Sequence, residues 1–203
     1  MLENKKRKEE IYNFLLEIAQ ELSKRKLGAL MVIAPKRKFN KIYEPLYPQI
    51  IAKHQIFEKG TRELILNLAE LDGAFLIGDD GTFVSFGARI KKSKALPGYG
   101  TKHAAAVGIT KHIKNSSAIL VSEESGWVKI FKDGKIVLEL DSTKKSPQLM
   151  HKVVNFITDN DTALIATAGV SAAITGVLPI VIVSGTYLAI KTASGIIKKS
   201  LGK

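Results

Sequence analysis

The sequence predicts an α/β protein of the α+β type, in which helices flank a mixed β-sheet and a hydrophobic helical tail follows. Three observations support this prediction: apolar residues at helical spacing bracket the chain, short apolar runs of strand length lie between them, and polar glycine-containing turns join several runs as hairpins. Helices and strands alternate too irregularly for a doubly wound fold, so we expect a mixed sheet covered by helices.

The first half of the chain begins with an amphipathic segment, because Ile11, Phe14 and Leu15 follow helical spacing that continues along the segment. Three prolines and little periodicity mark residues 35–60 as mainly loop. The expected elements are a helix over residues 4–25, a buried strand over 29–33, a short strand near 49–52, and a helix from an N-cap at Thr61 to about residue 71.

The second half is predicted to hold most of the sheet. Gly78-Asp79-Asp80-Gly81 and Asp133-Gly134 are turn signals between apolar runs. Gly100-Thr101 begins an alanine-rich helix with the threonine placed to cap it, and Ser146-Pro147 is an N-cap followed by proline. The expected elements are strands over 73–77, 82–88, 117–121, 127–132 and 135–140, with helices over 100–111 and 147–158.

Length and composition set the domain organisation and exclude several kinds of site. Of the 203 residues, 45% are hydrophobic and 25% charged, so the chain can bury a sizeable core. We predict a globular domain over residues 1–160 and a hydrophobic tail over 161–203. The absence of cysteine excludes disulfides, thiolate metal sites and a cysteine nucleophile. The charged N-terminus lacks the features of a secretory signal, so the domain is expected in the cytoplasm.

The chain is strongly basic, with 31 lysines and arginines against 19 acidic residues and a formal net charge of +12. Such a surface attracts nucleic acid, anionic lipid or a polyanionic nucleotide, although a solvated basic surface is the simpler interpretation. The sequence has neither zinc-finger spacing nor the aromatic signature of an RNA-binding module. We therefore expect no nucleic-acid partner.

The tail differs from the rest because the 29 residues from 162 to 190 contain no charged side chain. About 20 apolar residues suffice to span a bilayer, so this stretch is a membrane candidate. Pro179 lies in its middle and four lysines follow, which disfavours a single span and favours a helical hairpin with both ends in the cytoplasm. A soluble helical pair buried in an oligomer is the alternative. The expectation is a cytoplasmic domain attached to the cytoplasmic membrane.

Asp72-Gly73-Ala74 joins a helix to a strand. A carboxylate before two small residues can hold a divalent metal and approach a hydroxyl group, since a ligand can then lie against the backbone. A turn capped by the aspartate is the alternative interpretation.

Gly100-Thr101-Lys102-His103 lies at the start of a predicted helix. Backbone N–H groups, a hydroxyl and a cation are the ingredients of a phosphate site, although an ordinary surface cap has the same composition. Ser122-Glu123-Glu124 follows a strand and offers two carboxylates to a metal, or forms a solvated acidic turn.

The order and spacing of the three motifs resemble the diadenylate cyclase domain, a family that makes cyclic di-AMP from two ATP. After Asp72-Gly73-Ala74, about 30 residues lead to GTKHAAAVGI and about 20 more lead to VSEESG. The family's signature is Asp-Gly-Ala with an Arg-His-Arg triplet inside a Gly-Thr-Arg-His-Arg-Ala-Ala stretch. GALMVIAP is similar to the family's early strand, and the resemblance covers roughly residues 10–158.

The resemblance implies a face-to-face homodimer in which each protomer binds one ATP. The 3′-hydroxyl of each ATP attacks the α-phosphate of the other, and two pyrophosphates leave. It implies Asp72 and His103 as catalytic residues, and Mn²⁺ or Mg²⁺ held by Asp72 with Glu123 or Glu124. The implied ATP-binding residues are Gly73, Ala74, Gly100, Thr101, Lys102, His103 and Ser122.

The triplet departs from the family because it reads Lys102-His103-Ala104. Lysine keeps a charge but loses the bidentate grip of arginine, and alanine removes a cation. Either a nearby basic residue such as Arg89 substitutes, or phosphate affinity and turnover are reduced. The alternatives to an active cyclase are a membrane-anchored sensor of ATP or cyclic di-AMP that has lost catalysis, and a membrane-anchored basic adaptor.

Overall fold

The computed structural model describes residues 2–50, 52–94, 98, 100–141, 153–155, 157–158, 181–183 and 186–188. Its helices are α1 (Leu2–Lys24), α2 (Thr61–Leu68) and α3 (Thr101–His112), with a 3-10 turn at Lys36–Phe39. Its strands are β1 (Ala29–Ala34), β2 (Tyr43–Pro45), β3 (Ala74–Gly78), β4 (Phe83–Ile90), β5 (Ser117–Val121), β6 (Trp127–Lys132), β7 (Lys135–Asp141), β8 (Val181–Val183) and β9 (Thr186–Leu188).

Seven strands form one mixed sheet in the order β2-β4-β3-β1-β5-β6-β7. Strand β1 pairs with β3 in parallel, and the remaining pairs of this sheet within the described residues are antiparallel. Parallel neighbours need a crossover connection, and here the segment that contains α2 supplies it. The predicted mixed sheet flanked by helices is therefore confirmed.

Helices cover both faces of the sheet, so its strands are buried on two sides. Along β1, Met31 and Ile33 pack with α1 and α2, whereas the alternate residues Leu30 and Val32 pack with α3. All six residues of β1 are buried, which agrees with this position at the centre of the sheet. Because both faces are covered, the ends of the strands and the turns that follow them are the accessible parts of the sheet.

Most predicted elements lie within two residues of the observed ones, but two predictions in the first half are wrong. The short edge strand is β2 at Tyr43–Pro45, not residues 49–52. The amide of Gln49 binds the backbone N–H and C=O of Phe86 at 3.0 and 3.1 Å, so a side chain replaces strand pairing there. The N-cap of α2 is Gly60, in the left-handed region at φ 87°, and Thr61 is the first helical residue.

The predicted C-terminal elements fall largely outside the described residues. Helical residues 153–155 and 157–158 agree with the predicted helix over 147–158, whose other positions lie outside the description. In the tail, the described residues are strands β8 and β9, which pair in antiparallel fashion, and the remainder of the predicted helical tail lies outside the described residues. Among the described residues, no helix is both long and apolar enough to cross a membrane.

Candidate active site

The three motifs reach the same edge of the sheet. Leu30 of β1 is opposite Ala74 of β3 in the parallel pair and opposite Leu120 of β5 in the antiparallel pair. The start of β1, the start of β3 and the end of β5 are therefore neighbours, which places Asp72 and Ser122 at one edge. The register thus brings the polar turns before β3 and after β5 to the same region of the fold.

A cleft of about 750 Å³ opens at this edge and joins two of the motifs. The start of α3 forms one side, and the turn after β5 forms the other. The lining residues are Gly28, Gly98, Gly100, Thr101, Lys102, His103, Leu120, Val121, Ser122, Glu123, Glu124, Ser125 and Lys129. The predicted phosphate motif and the predicted acidic turn thus face a common space.

Helix α3 begins at the cleft and has no capping side chain. The carbonyl of Gly100 accepts hydrogen bonds from the N–H groups of His103 and Ala104 at 3.1 and 3.2 Å. Gly100 is the N-cap and makes no side-chain cap, so the predicted capping role of Thr101 is wrong: it is the first helical residue and is exposed. The first N–H groups of a helix have no intrahelical acceptor, which makes this end suited to an anion.

The acidic turn after β5 is held by its own backbone. The Ser122 N–H donates to the Trp127 carbonyl at 2.9 Å, and the Gly126 N–H donates to the Ser122 carbonyl at 2.8 Å. From α1, the Ser23 hydroxyl donates to the Gly126 carbonyl at 2.5 Å. This bracing leaves Glu123 exposed at the cleft.

Gly28, which the sequence did not single out, makes room for that turn. A Cβ atom at Gly28 would lie 3.1 Å from Cβ of Glu123 and 3.3 Å from its Oε2. A side chain at position 28 would therefore push the Glu123 carboxylate away from the start of β1. The glycine keeps the acidic turn close to the sheet edge.

Asp72 shares the edge but not the cleft. It is exposed just before β3 and is absent from the lining of the cleft. Strand β1 separates β3 from β5, which puts Asp72 about 10 Å from the acidic turn by strand spacing. Across the described part of the chain, no three His, Cys, Asp or Glu side chains are close enough together to hold a metal ion. One protomer therefore does not gather Asp72, Glu123 and Glu124 at a single point.

Gly73 and Ala74 have structural roles that the sequence-based interpretation missed. Gly73 has φ 104°, and a Cβ there would lie 2.4 Å from the backbone carbon of Gly87 and 2.7 Å from the nitrogen of Ala88. Ala74 is 1% exposed and packs in the core on the α3 side of the sheet. Neither residue lines the cleft, so the small residues after Asp72 serve the close approach of β3 and β4.

His103 lies half-buried in the cleft wall, with its ring edge-on to Phe131 at a centroid distance of 6.1 Å. Burial, and secondly the positive charge of Lys129, lower the pKa of His103 from its usual 6.5 to about 4. At neutral pH the imidazole is therefore uncharged. It can donate or accept a hydrogen bond but adds no positive charge to the cleft.

An NMR titration of the nucleotide-free protein is expected to give His103 a midpoint near pH 4. Because the unfolded chain binds this proton more readily, near pH 6.5, the histidine's contribution to the free energy of unfolding falls as the pH drops from about 6.5 to about 4. Lys129→Gln should move the midpoint upward. A wild-type midpoint near 6.5 would show that the ring is neither buried nor close to that lysine.

Lys129 and Glu139 form a buried ion pair beside the cleft, at 3.4 Å between Nζ and Oε1. The sequence could not have indicated the pair, because folding the chain at Asp133-Gly134 alone would put Lys129 opposite Leu138. A register shift between Ile130 and Phe131 puts it opposite Glu139 instead. Arg89, the basic residue considered as a substitute for the missing arginine, is instead exposed on β4. It binds Glu44 at 2.7 Å and does not line the cleft.

Comparison with known proteins gives the same assignment as the motifs. Residues 17–136 match the family model for DAC, the DisA bacterial checkpoint controller nucleotide-binding domain. The chain belongs to the DAC family. The matched region contains all three motifs and the whole cleft, and it confirms the resemblance found from the sequence.

The DAC relatives of this chain include two archaeal proteins named diadenylate cyclase. One, from Methanocaldococcus jannaschii, is 36% identical over 138 residues, covering 65% of this chain and 44% of the relative. The other, from Haloferax volcanii, is 32% identical over 138 residues, covering 63% and 51%. The chain thus spans about half the length of these relatives.

A solved structure of a hypothetical membrane spanning protein from Bacillus cereus is similar to this DAC chain. It superposes with a TM-score of 0.50 at 26% identity and covers 61% of this chain and 60% of that one. The similarity agrees with the arrangement of strands and helices around the cleft.

Proposed function

We propose that this chain is a diadenylate cyclase, which condenses two ATP molecules into cyclic di-AMP and releases two pyrophosphates at a face-to-face dimer interface. One observation carries the proposal: the phosphate motif and the acidic turn line one cleft, while the exposed carboxylate of Asp72 lies outside it at the same sheet edge. A site divided in this way suits a reaction in which each nucleotide must meet a second one.

The cleft holds the triphosphate in this proposal. The N–H groups in the first turn of α3, the helix dipole and the Lys102 ammonium stabilise phosphate oxygens. The neutral ring of His103 orients a phosphate by hydrogen bonding rather than by charge, and the Ser122 hydroxyl donates from the opposite side. Phosphoryl transfer needs mainly positioning and charge neutralisation, which these groups supply.

The chemical step joins the two nucleotides twice. The 3′-oxygen of one ATP forms a bond to the α-phosphorus of the other, the bond from that phosphorus to the pyrophosphate oxygen breaks, and pyrophosphate leaves. Asp72 takes up the proton of the attacking hydroxyl. Because Asp72 lies outside the cleft of its own protomer, the dimer brings it to the reacting hydroxyl, and a second, symmetric attack closes the ring.

The carboxylates of Asp72, Glu123 and Glu124 are oxygen ligands of the kind that Mn²⁺ or Mg²⁺ prefers. Mg²⁺ is commonly held by one or two carboxylates together with substrate phosphates, so a three-residue cluster within one protomer is not required. When bound, such an ion neutralises charge on the phosphates. Glu123 and Glu124 would hold it at the cleft, and Asp72 would complete the set across the dimer.

Dilution of the enzyme tests the divided site. With saturating ATP and Mn²⁺, the rate of cyclic product per protomer should rise with protein concentration and reach a plateau when the dimer is fully formed. The control is to measure ATP binding at the same concentrations, which should change little if one protomer forms the cleft. A rate per protomer that stays constant down to concentrations at which sedimentation shows only monomer would contradict the dimeric site.

Attachment of the tail to a membrane is a separate part of the proposal. Its support is the uncharged stretch over residues 162–190 and the likeness to a protein described as membrane spanning. Membrane confinement would fix the orientation of protomers and raise their local concentration, which bears directly on a reaction that needs two of them. Fractionation of cells that express the full chain and a variant truncated after residue 160 distinguishes a membrane-bound from a free protein.

A further inference from the structure

Lys129 is a cation in the cleft that belongs to none of the three motifs. It lies on β6, lines the cleft together with Lys102 and His103, and has a side chain that is only 12% exposed. A lysine ammonium is a strongly hydrated point charge. Its removal from water costs free energy unless an opposite charge compensates, so its position requires an explanation.

Glu139 compensates that charge. Its side chain is 9% exposed, and it stands opposite Lys129 in the β6–β7 register. A buried ion pair adds little net stability compared with well-packed apolar residues, because both charges lose their hydration. Stability alone is thus a weak reason for placing this ion pair beside the cleft, with Lys129 in its wall.

The charge of Lys129 acts on the place where phosphate is expected. It contributes to the low pKa of His103, so its field reaches the first turn of α3. The cleft has no basic side chain at position 104, where the sequence has alanine, and Lys129 contributes a cation from a different element. Two lysines that line one cleft from different elements can neutralise more phosphate charge than Lys102 alone.

We propose that Lys129 binds a phosphate group of the nucleotide, and that Glu139 holds its ammonium group in position before the nucleotide arrives. The nucleotide's identity as ATP rests on the function proposed above. The attraction of Lys129 for a triphosphate rests on its place in the cleft. In the complex, the phosphate shares or replaces the contact with Glu139, so the ammonium stays compensated.

Calorimetric titration of the full chain tests this role without depending on turnover. The probes are α,β-methylene ATP, which cannot release pyrophosphate, inorganic triphosphate and adenosine. The central comparison is between Lys129→Gln/Glu139→Gln, which removes both charges and leaves no uncompensated carboxylate, and Glu139→Gln, which keeps the lysine. Lys135→Gln is the control, because it removes an exposed lysine of β7 that does not line the cleft.

The double variant should bind the ATP analogue and inorganic triphosphate about tenfold or more weakly, with adenosine binding unchanged, as expected for the loss of a charge-assisted contact. Lys135→Gln should bind both phosphate probes as wild type does. Glu139→Gln keeps the cation but loses the group that positions it, so its affinity for both probes should lie between those of the wild type and the double variant. Wild-type affinity of the double variant for both would overturn the inference and leave the proposed function intact.

Other outcomes separate the two proposals. Suppose that the wild-type protein binds the analogue but forms no cyclic product from ATP, and that the double variant binds phosphate more weakly. This combination would support the role of Lys129 and contradict the cyclase. A wild-type protein that binds neither the analogue nor inorganic triphosphate would overturn both. Thermal melting of each variant shows whether it is folded. If the double variant proves unstable, Lys129→Arg is the alternative test, because it keeps the charge and should retain phosphate binding.

Discussion

Replacing Asp72 with asparagine is expected to lower the rate of cyclic di-AMP formation by about 10²–10⁴-fold, the range associated with losing a general base. The amide has nearly the same shape as the carboxylate but neither accepts the hydroxyl proton nor carries the charge that favours a divalent metal. Because Asp72 is exposed and lies outside the cleft, the variant should fold normally and bind ATP as wild type does. Mass spectrometry of the product and calorimetry of ATP binding measure the two effects separately.

Asp133→Asn provides a matched control for that experiment. Asp133 is exposed in the turn that follows β6, whereas the acidic turn precedes β6, so the two lie at opposite ends of this strand. Asparagine tolerates the φ of 49° at this position. This variant should keep wild-type activity. An Asp72→Asn protein that still makes cyclic product at a rate close to wild type would remove Asp72 from the chemistry.

Gly73→Ala is expected to reduce the free energy of unfolding by about 2–4 kcal/mol, although it alters only the neighbour of Asp72. The position has φ 104°, and the new Cβ would meet the backbone of Gly87 and Ala88 at 2.4–2.7 Å. Backbone strain and overlap with atoms that cannot rotate away both oppose the substitution. The melting temperature should fall on the order of 10 °C for a chain of this size.

Gly60→Ala separates the two causes of that loss. Gly60 also has a left-handed φ of 87°, but nothing lies within 4 Å of a Cβ placed there. Only strain remains, so the expected cost is about 1 kcal/mol. Equal destabilisation by both substitutions would show that the close approach of β3 and β4 at Gly73 contributes nothing. Stability of Gly73→Ala equal to wild type would contradict the strand geometry itself.

These two predictions give Asp72 of the Asp-Gly-Ala motif a chemical role and Gly73 a structural role. The sequence alone did not reveal this difference. The sequence indicated that Asp72 precedes a strand and that small residues follow. It could not show that the glycine faces Gly87 of the next strand, because the register between β3 and β4 is irregular and depends on contacts distant in the chain. A ligand was therefore the natural explanation for a space that the protein's own backbone fills.

Local signals predicted the strands well, because each depends on a run of apolar residues ended by a turn. The β6–β7 hairpin is an example, with Asp133 at φ 49° and Gly134 at φ 73° as its turn signal implied. The short edge strand failed for the opposite reason. Gln49 reaches the backbone of Phe86 through its side chain, and nothing in the local pattern distinguishes that anchoring from strand pairing.

The candidate site was predictable as a set of motifs but not as an arrangement in space. Sequence order placed the phosphate motif and the acidic turn near strand and helix ends, and the structure joins them in one cleft. The separation of Asp72 from that cleft follows from β1 lying between β3 and β5, which is a property of the topology. Lys129 reads as one polar residue in an alternating strand, and only its burial against Glu139 distinguishes it.

The measurement that tests the central claim most directly is identification of the product that the full chain forms from ATP and Mn²⁺ or Mg²⁺. Mass spectrometry should show cyclic di-AMP, and a coupled assay should show two pyrophosphates for each cyclic molecule. Formation of ADP and inorganic phosphate would instead indicate ATP hydrolysis, and ATP that stays bound without turnover would indicate a sensor. Either of these results would contradict the account of the divided cleft as a cyclase site.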